Sequence, residues 1–267
     1  MKSSIRMSYK IGPVTRDPTE ILTRPAPPPD RTVRYGPGPE HVVDLRLSAA
    51  QRGPLVVFLH GGFWRARYDR THAYPLADDL AGRGLPVALV EYRRVGQPGG
   101  GWPGTGDDVA AALAALPALV GDILDPTGYV LAGHSAGGHL ALLNGARAGG
   151  VLALAPVADL ALAYQLGLGS GAVADLMGDA RPGDEIFQMA DPALRPTRTR
   201  TVIVHGGDDR NVPVEVSRSY ARLAGDCCQL VELPGVEHFA VIDPLSSAWP
   251  NVLVGLGPFI DAWTTKR

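Results

Sequence analysis

Cysteine is nearly absent from this 267-residue chain, and the only two, Cys227 and Cys228, are adjacent. A vicinal pair makes a strained and rare disulfide, so no disulfide framework of the secreted kind is expected and both thiols are expected to stay reduced. Long apolar runs are lacking as well. The best candidate for a bilayer span, residues 151–169, is interrupted by Pro156 and Asp159. The opening stretch, Met1 to Lys10, holds no apolar segment of the signal-peptide kind. Together these absences make the cytoplasm the expected compartment and exclude a membrane partner. Charge of one sign is also missing. Lys and Arg number 25 against 27 Asp and Glu, a net charge of −2 that leaves no basic footprint for nucleic acid.

Hydrophobic residues make up 45%, enough for a sizeable core. The first 40 residues are rich in Pro and charge, with Pro25, Pro27, Pro28 and Pro29 close together, and read as an extended N-terminal arm. Residues 42–47 alternate apolar and polar, as a half-exposed antiparallel edge strand would. From residue 54 onward, short runs apolar on both faces alternate with helical segments. That pattern predicts an α/β fold, a mostly parallel sheet covered by helices on both faces. Residues 41–267 are expected to form one domain, with no internal repeat or dividing linker. Residues 164–198 break the alternation with scattered Gly, Asp and Pro. So long a connection between adjacent strands is read either as a lid or as a ragged crossover helix.

The chemistry centres on Gly133-His134-Ser135-Ala136-Gly137. An apolar run precedes this Gly-x-Ser-x-Gly turn and a helical run follows it, the context in which the motif carries information. Glycines on either side remove β-carbons that would clash in a tight turn, leaving Ser135 exposed above a helix N-terminus. A serine hydroxyl needs a base, and the base needs an orienting carboxylate. In folds of this kind the chain order is Ser, acid, His. Three histidines follow Ser135. His139 lies on the helix flank, where it points into packing, and His205 precedes the acid candidates. His238, in a loop just past a strand, is the expected base. Asp208 and Asp209 both follow a strand, and the His205-Gly-x-x-Asp209-x-x-Val212-Pro213 spacing favours Asp209 as the acid. His60-Gly61-Gly62-Phe63-Trp64 closes an earlier strand. Its amides, those of Gly62 and Phe63, are expected to join that of Ala136 in an oxyanion hole. His60 is expected to fix that loop. Trp64 and His134 are the further candidates for the substrate pocket. The histidines show no metal-ligand spacing beside carboxylates or thiols.

Four elements in this order, over roughly residues 40–265, resemble the α/β-hydrolase superfamily. The HGGFW loop, Tyr92-Arg93 with Trp102-Pro103 and Asp108, the GHSAGGHL block, and His238-Phe239 with Ile242-Asp243-Pro244-Leu245 are similar to kynurenine formamidases (arylformamidases) and related small carboxylesterases. Phe63 departs from the HGGG pattern of lipase-like esterases. The resemblance implies hydrolysis of N-formylkynurenine to kynurenine and formate without a cofactor. A general short-chain carboxylesterase is the alternative, and a non-catalytic binding protein on the same fold a remote one. The expected partner is a small molecule with a formyl or short acyl group. A homodimer is compatible with this reading. Bulk at Phe63 and Trp64 is expected to restrict the acyl side, and an aromatic leaving group is expected to sit under residues 164–198.

Overall fold

Eight strands form a single sheet in the computed structural model, which describes residues 17–266. They are β1 Arg31–Arg34, β2 Val42–Arg46, β3 Val56–Leu59, β4 Val87–Val90, β5 Val130–His134, β6 Gly150–Leu154, β7 Thr201–Gly206 and β8 Cys228–Leu233. Their spatial order is β1-β2-β4-β3-β5-β6-β7-β8. β1 pairs with β2, and β2 with β4, antiparallel; every later pairing is parallel.

The strands from β3 to β7 are buried along their length, so each supplies apolar side chains to both faces. Val57, Leu59 and Leu131 enter one apolar layer, and Val56, Phe58 and Val130 enter the other. Helices α2 Gly104–Val120, α3 Ala136–Leu143 and α7 Val214–Ala224 cover the first layer. Helices α1 Tyr74–Gly82 and α8 Trp249–Thr265 cover the second. Burying one Val or Leu in such a layer contributes about 1.5–3 kcal/mol. The parallel strands therefore end together at one edge, where their loops build the site.

Two expectations are revised near the N-terminus. The alternation of residues 42–47 predicts an edge strand with Asp44 toward solvent. β2 is antiparallel but internal, because β1 covers its outer side, and Asp44 is fully buried. The burial is compensated: Asp44 accepts hydrogen bonds from Thr32 Oγ1, Arg70 Nε and Tyr74 Oη, each at 2.6 Å. Within the stretch expected as an extended arm, residues 1–16 lie outside the described residues. The remainder contains β1 and a single 3-10 turn, Pro18–Leu22, whose N-cap Asp17 accepts the Thr19 N–H at 2.9 Å.

Between β6 and β7 the chain makes three short helices, α4 Leu160–Gln165, α5 Leu168–Met177 and α6 Glu185–Ala190. This insertion packs on the loop after β3. A β-carbon at Gly169 would come within 2.8 Å of the Phe63 ring, and Arg65 pairs with Asp175 at 2.5 Å.

Candidate active site

β5 ends at His134 and α3 starts at Ala136, which leaves Ser135 alone in the turn with φ 55° and ψ −116°. A non-glycine residue there is strained and persists only when its surroundings force it. The surroundings are tight. A β-carbon at Gly133 would lie 2.3 Å from the Gly137 carbonyl oxygen, and one at Gly137 would lie 2.0 Å from that of Leu59. The Ser135 N–H donates to the Leu154 carbonyl at 2.9 Å, which ties the turn to β6.

The candidate acid and base come from the loops after β7 and β8. His238 Nδ1–H donates to Asp209 Oδ2 at 2.6 Å. Asp209 Oδ1 accepts the backbone N–H groups of Asn211 and Val212, both at 2.8 Å. Burial by itself would raise the pKa of this carboxyl. Hydrogen bonds from His205 and His238, and the charge on His238, outweigh burial and hold it well below the usual carboxylate range. Asp208 is exposed, and its N–H donates to the Val236 carbonyl at 3.0 Å.

Ser135 and His238 line the same cavity, about 80 Å³, together with Gly62 and Phe63. Ser135 Oγ makes no hydrogen bond to any described residue. The N–H groups of Gly62, Phe63 and Ala136 likewise donate to no other described residue. Gly62 has φ 116° and Phe63 φ 52°, a backbone course that bends this loop toward the serine. At Gly62 a β-carbon would meet Tyr68 Cβ at 2.6 Å, so only glycine fits.

His60 lies beneath that loop with no exposed surface. Its Nε2 donates to Glu91 Oε1 at 2.9 Å, its ring stacks on Tyr92 with centroids 4.4 Å apart, and the Tyr92 hydroxyl donates to the His60 carbonyl at 2.6 Å. Burial would raise the Glu91 carboxyl, but His60 and Arg94 beside it bring it down to about 2. The expected loop-fixing role of His60 is thus shared with Glu91.

The two pocket candidates separate. His134 lines the cavity and donates from Nε2 to the His238 carbonyl at 3.1 Å, which steadies the base's own backbone. Burial first, and then the charge on His238, hold His134 well below the ordinary histidine range. Trp64 does not line the cavity. It is 1% exposed and packs edge-on against His139, with centroids 5.1 Å apart. Its bulk supports the loop from behind and does not narrow the acyl side. His139 is buried as expected, and its Nε2–H donates to the Ala190 carbonyl at 2.7 Å.

The cavity's remaining walls also differ from expectation. No residue of 164–198 is among them; that segment touches the loop after β3 at Phe63 and Arg65. Leu22, from the N-terminal turn, and Phe239 supply apolar wall. Arg24 holds the N-terminal segment in place through a two-pronged pair with Asp243, in the loop that carries His238. Sequence spacing gives no signal for Leu22 or Glu91, because both reach the site from elements remote in the chain.

Comparison with known proteins agrees with this geometry. The BD-FAE family profile matches residues 43–152, the stretch from β2 through β6. Esterase LipC of Mycobacterium tuberculosis (strain ATCC 25618 / H37Rv) is 26% identical over 252 residues, covering 80% of this chain and 60% of its own. Kynurenine formamidase of Drosophila melanogaster is 30% identical over 113 residues, 40% of this chain and 35% of that protein. The chain therefore spans about 60% of the length of the first of these relatives and less of the second. Among solved structures, esterase B from Lactobacillus rhamnosis (HN001) superposes with a TM-score of 0.74 at 19% identity, over 93% of this chain and 91% of that one. The chain has the α/β-hydrolase fold. Within it, the similarity runs to esterases, with kynurenine formamidase a weaker relative. Among the described residues, no helix is long and apolar enough to cross a membrane.

Proposed function

We propose that this protein is a serine hydrolase acting on small-acyl carboxylic esters in the cytoplasm. The observation that carries the reading is the His238–Asp209 hydrogen bond on a cavity lined also by Ser135, Gly62 and Phe63. His238 Nε2 removes the Ser135 hydroxyl proton as Oγ attacks the acyl carbon, and Asp209 stabilises the imidazolium that forms. The N–H groups of Gly62, Phe63 and Ala136 receive the oxyanion; losing one such donor costs about 3 kcal/mol of barrier. The imidazolium then protonates the departing oxygen or nitrogen as the carbonyl re-forms. Water, deprotonated by His238, next attacks the acyl-serine. The products are the alcohol or amine, the carboxylic acid and free Ser135.

A small acyl group is favoured by the size of the cavity, about 80 Å³, and by Phe63 on its wall. The same smallness favours a second reading, hydrolysis of an aryl formamide, to which the kynurenine formamidase likeness adds weight. The test is a rate series on p-nitrophenyl acetate, p-nitrophenyl octanoate and N-formylkynurenine, with Ser135→Ala as control. Faster turnover of acetate than octanoate, abolished in the alanine variant, is expected. A preference for octanoate removes the small-acyl reading. Formylkynurenine turnover above that of acetate promotes the formamidase reading.

A further inference from the structure

Asp209 has a second histidine on it. His205, at the end of β7, is fully buried, and its Nε2 lies 3.2 Å from Asp209 Oδ2, the oxygen that also takes His238 Nδ1–H at 2.6 Å. The same Nε2 is 2.8 Å from the Val212 carbonyl oxygen. Both of these partners only accept, so Nε2 carries the hydrogen and shares it between them. The other ring nitrogen, Nδ1, lies 2.7 Å from Ser217 Oγ on α7, and Ser217 is also fully buried. A hydroxyl donating to Nδ1 fixes the Nε2–H tautomer. The result is a continuous buried chain, Ser217 to His205 to Asp209, with His238 on its far end. The reaction as written above uses only its last two members.

We propose that His205 is a positioning residue of the acid limb: its Nε2–H holds Asp209 Oδ2 from the side away from the cavity and limits how much of that carboxylate is offered to His238. Asp209 then accepts four donors, two backbone and two imidazole, and cannot rotate without breaking several. A carboxylate shared in this way stabilises the imidazolium of His238 less than an unshared one. The base therefore gives up its proton to the leaving group more readily.

Other titratable groups around this pair are few. His134, from the end of β5, stands 4.5 Å ring to ring from His238, and His72 acts on it from beyond. Glu232 is opposite His205 in the β7–β8 register, with its carboxylate taken by Arg218 at 2.5 Å. Asp208 is exposed.

The inference rests on the site reading above only for its catalytic consequence, so the test reads His238 directly. The full-length protein, labelled in its histidine rings, is titrated by NMR as wild type, His205→Phe and His205→Gln. Phenylalanine fills the ring's place without a donor, and glutamine returns an N–H near the Nε2 position. The His238 midpoint is expected to move up by at least about half a pH unit in the phenylalanine variant and to return toward wild type with glutamine. In the hydrolysis assay kcat falls roughly tenfold with KM unchanged in the first variant, and recovers in the second. A midpoint that stays in place or moves down with phenylalanine overturns the proposal, as does a glutamine variant that shifts equally. A shift without hydrolysis in the wild type keeps the proposal and removes the hydrolase reading. If the phenylalanine variant does not fold, His205→Asn, whose amide stops short of Asp209, takes its place with the same outcomes.

Discussion

His60 with Glu91 and His238 with Asp209 are both an imidazole on a carboxylate at nearly the same distance, 2.9 and 2.6 Å. Their surroundings differ. Glu91 is enclosed by cations, Arg70 at 3.3 Å and Arg94 at 3.3 Å besides His60, and the His60 ring is sandwiched against Tyr92 with its Nδ1 2.8 Å from the Gly61 carbonyl oxygen. Nothing in that pair faces the cavity. Asp209 takes two backbone N–H groups and two imidazoles where Glu91 takes guanidinium groups, and His238 keeps its Nε2 clear of other described residues on the cavity wall. A buried ion pair saturated on all sides sets the shape of a loop. The pair with one nitrogen left over is equipped for proton transfer.

Breaking the comparison on the His238 side is expected to have the largest effect. Asp209→Asn leaves the fold in place but supplies the wrong tautomer at His238, and kcat is expected to fall about 10⁴-fold with little change in thermal midpoint. A loss smaller than tenfold in stopped-flow hydrolysis would reassign the acid. The His60 side is expected to respond in the opposite way. Glu91→Gln takes from His60 its carboxylate and from Arg70 and Arg94 one of the two that each has, Asp44 and Glu40 remaining, and denaturant unfolding should show a loss of about 3 kcal/mol. Its rate should fall only about tenfold, as the oxyanion loop loosens. Equal rate losses in the two variants would show that both pairs act on the chemistry.

Acid sharpens the same contrast through stability. Burial, with the nearby His60 adding to it, holds His72 down to about 4, and burial holds His139 down to about 4. Both are neutral in the folded protein and protonate more readily when it unfolds. Their contribution is complete above about pH 6.5 and is lost as pH falls toward 4, up to about 3 kcal/mol each. Glu91, depressed from 4.5 to about 2, keeps its full contribution above 4.5 and loses it progressively as pH falls toward 2. Thermal midpoints from pH 7 to pH 4 should therefore drop in the wild type and drop less in His139→Gln. Equal slopes would exclude His139 as a source. The smallest expected effect is on selectivity. Leu22→Ala opens the cavity wall and should raise kcat/KM for butanoate relative to acetate esters by about tenfold, read as a ratio so that loss of total activity does not mask it.

The candidate triad could be picked out because each member follows directly from the end of a strand, and strand ends can be read from apolar runs and glycines. Ser135, Asp209 and His238 needed only local pattern and chain order. The parallel sheet was legible for the same reason, since β3 to β7 are apolar on both faces. Burial of Asp44 was not legible, because its three partners come from β1 and from the segment around α1, and a polar residue in an alternating run reads as solvent-facing. Trp64 was misplaced because motif adjacency says nothing about which side of a loop a side chain takes. The turn at Phe63 and Trp64, with φ 52° and 55°, puts the two on opposite sides. In the sequence His205 shows only as a histidine that precedes the acid and so fails as the base. Its contact with Asp209 depends on the loop folding back over the end of β7, a turn that Asp209's own bonds to Asn211 and Val212 create.

The pair of Arg24 with Asp243 joins residues 219 positions apart. One guanidinium–carboxylate pair thus ties the apolar wall at Leu22 to the loop that carries His238, so neutralising either charge frees the wall and loosens that loop together.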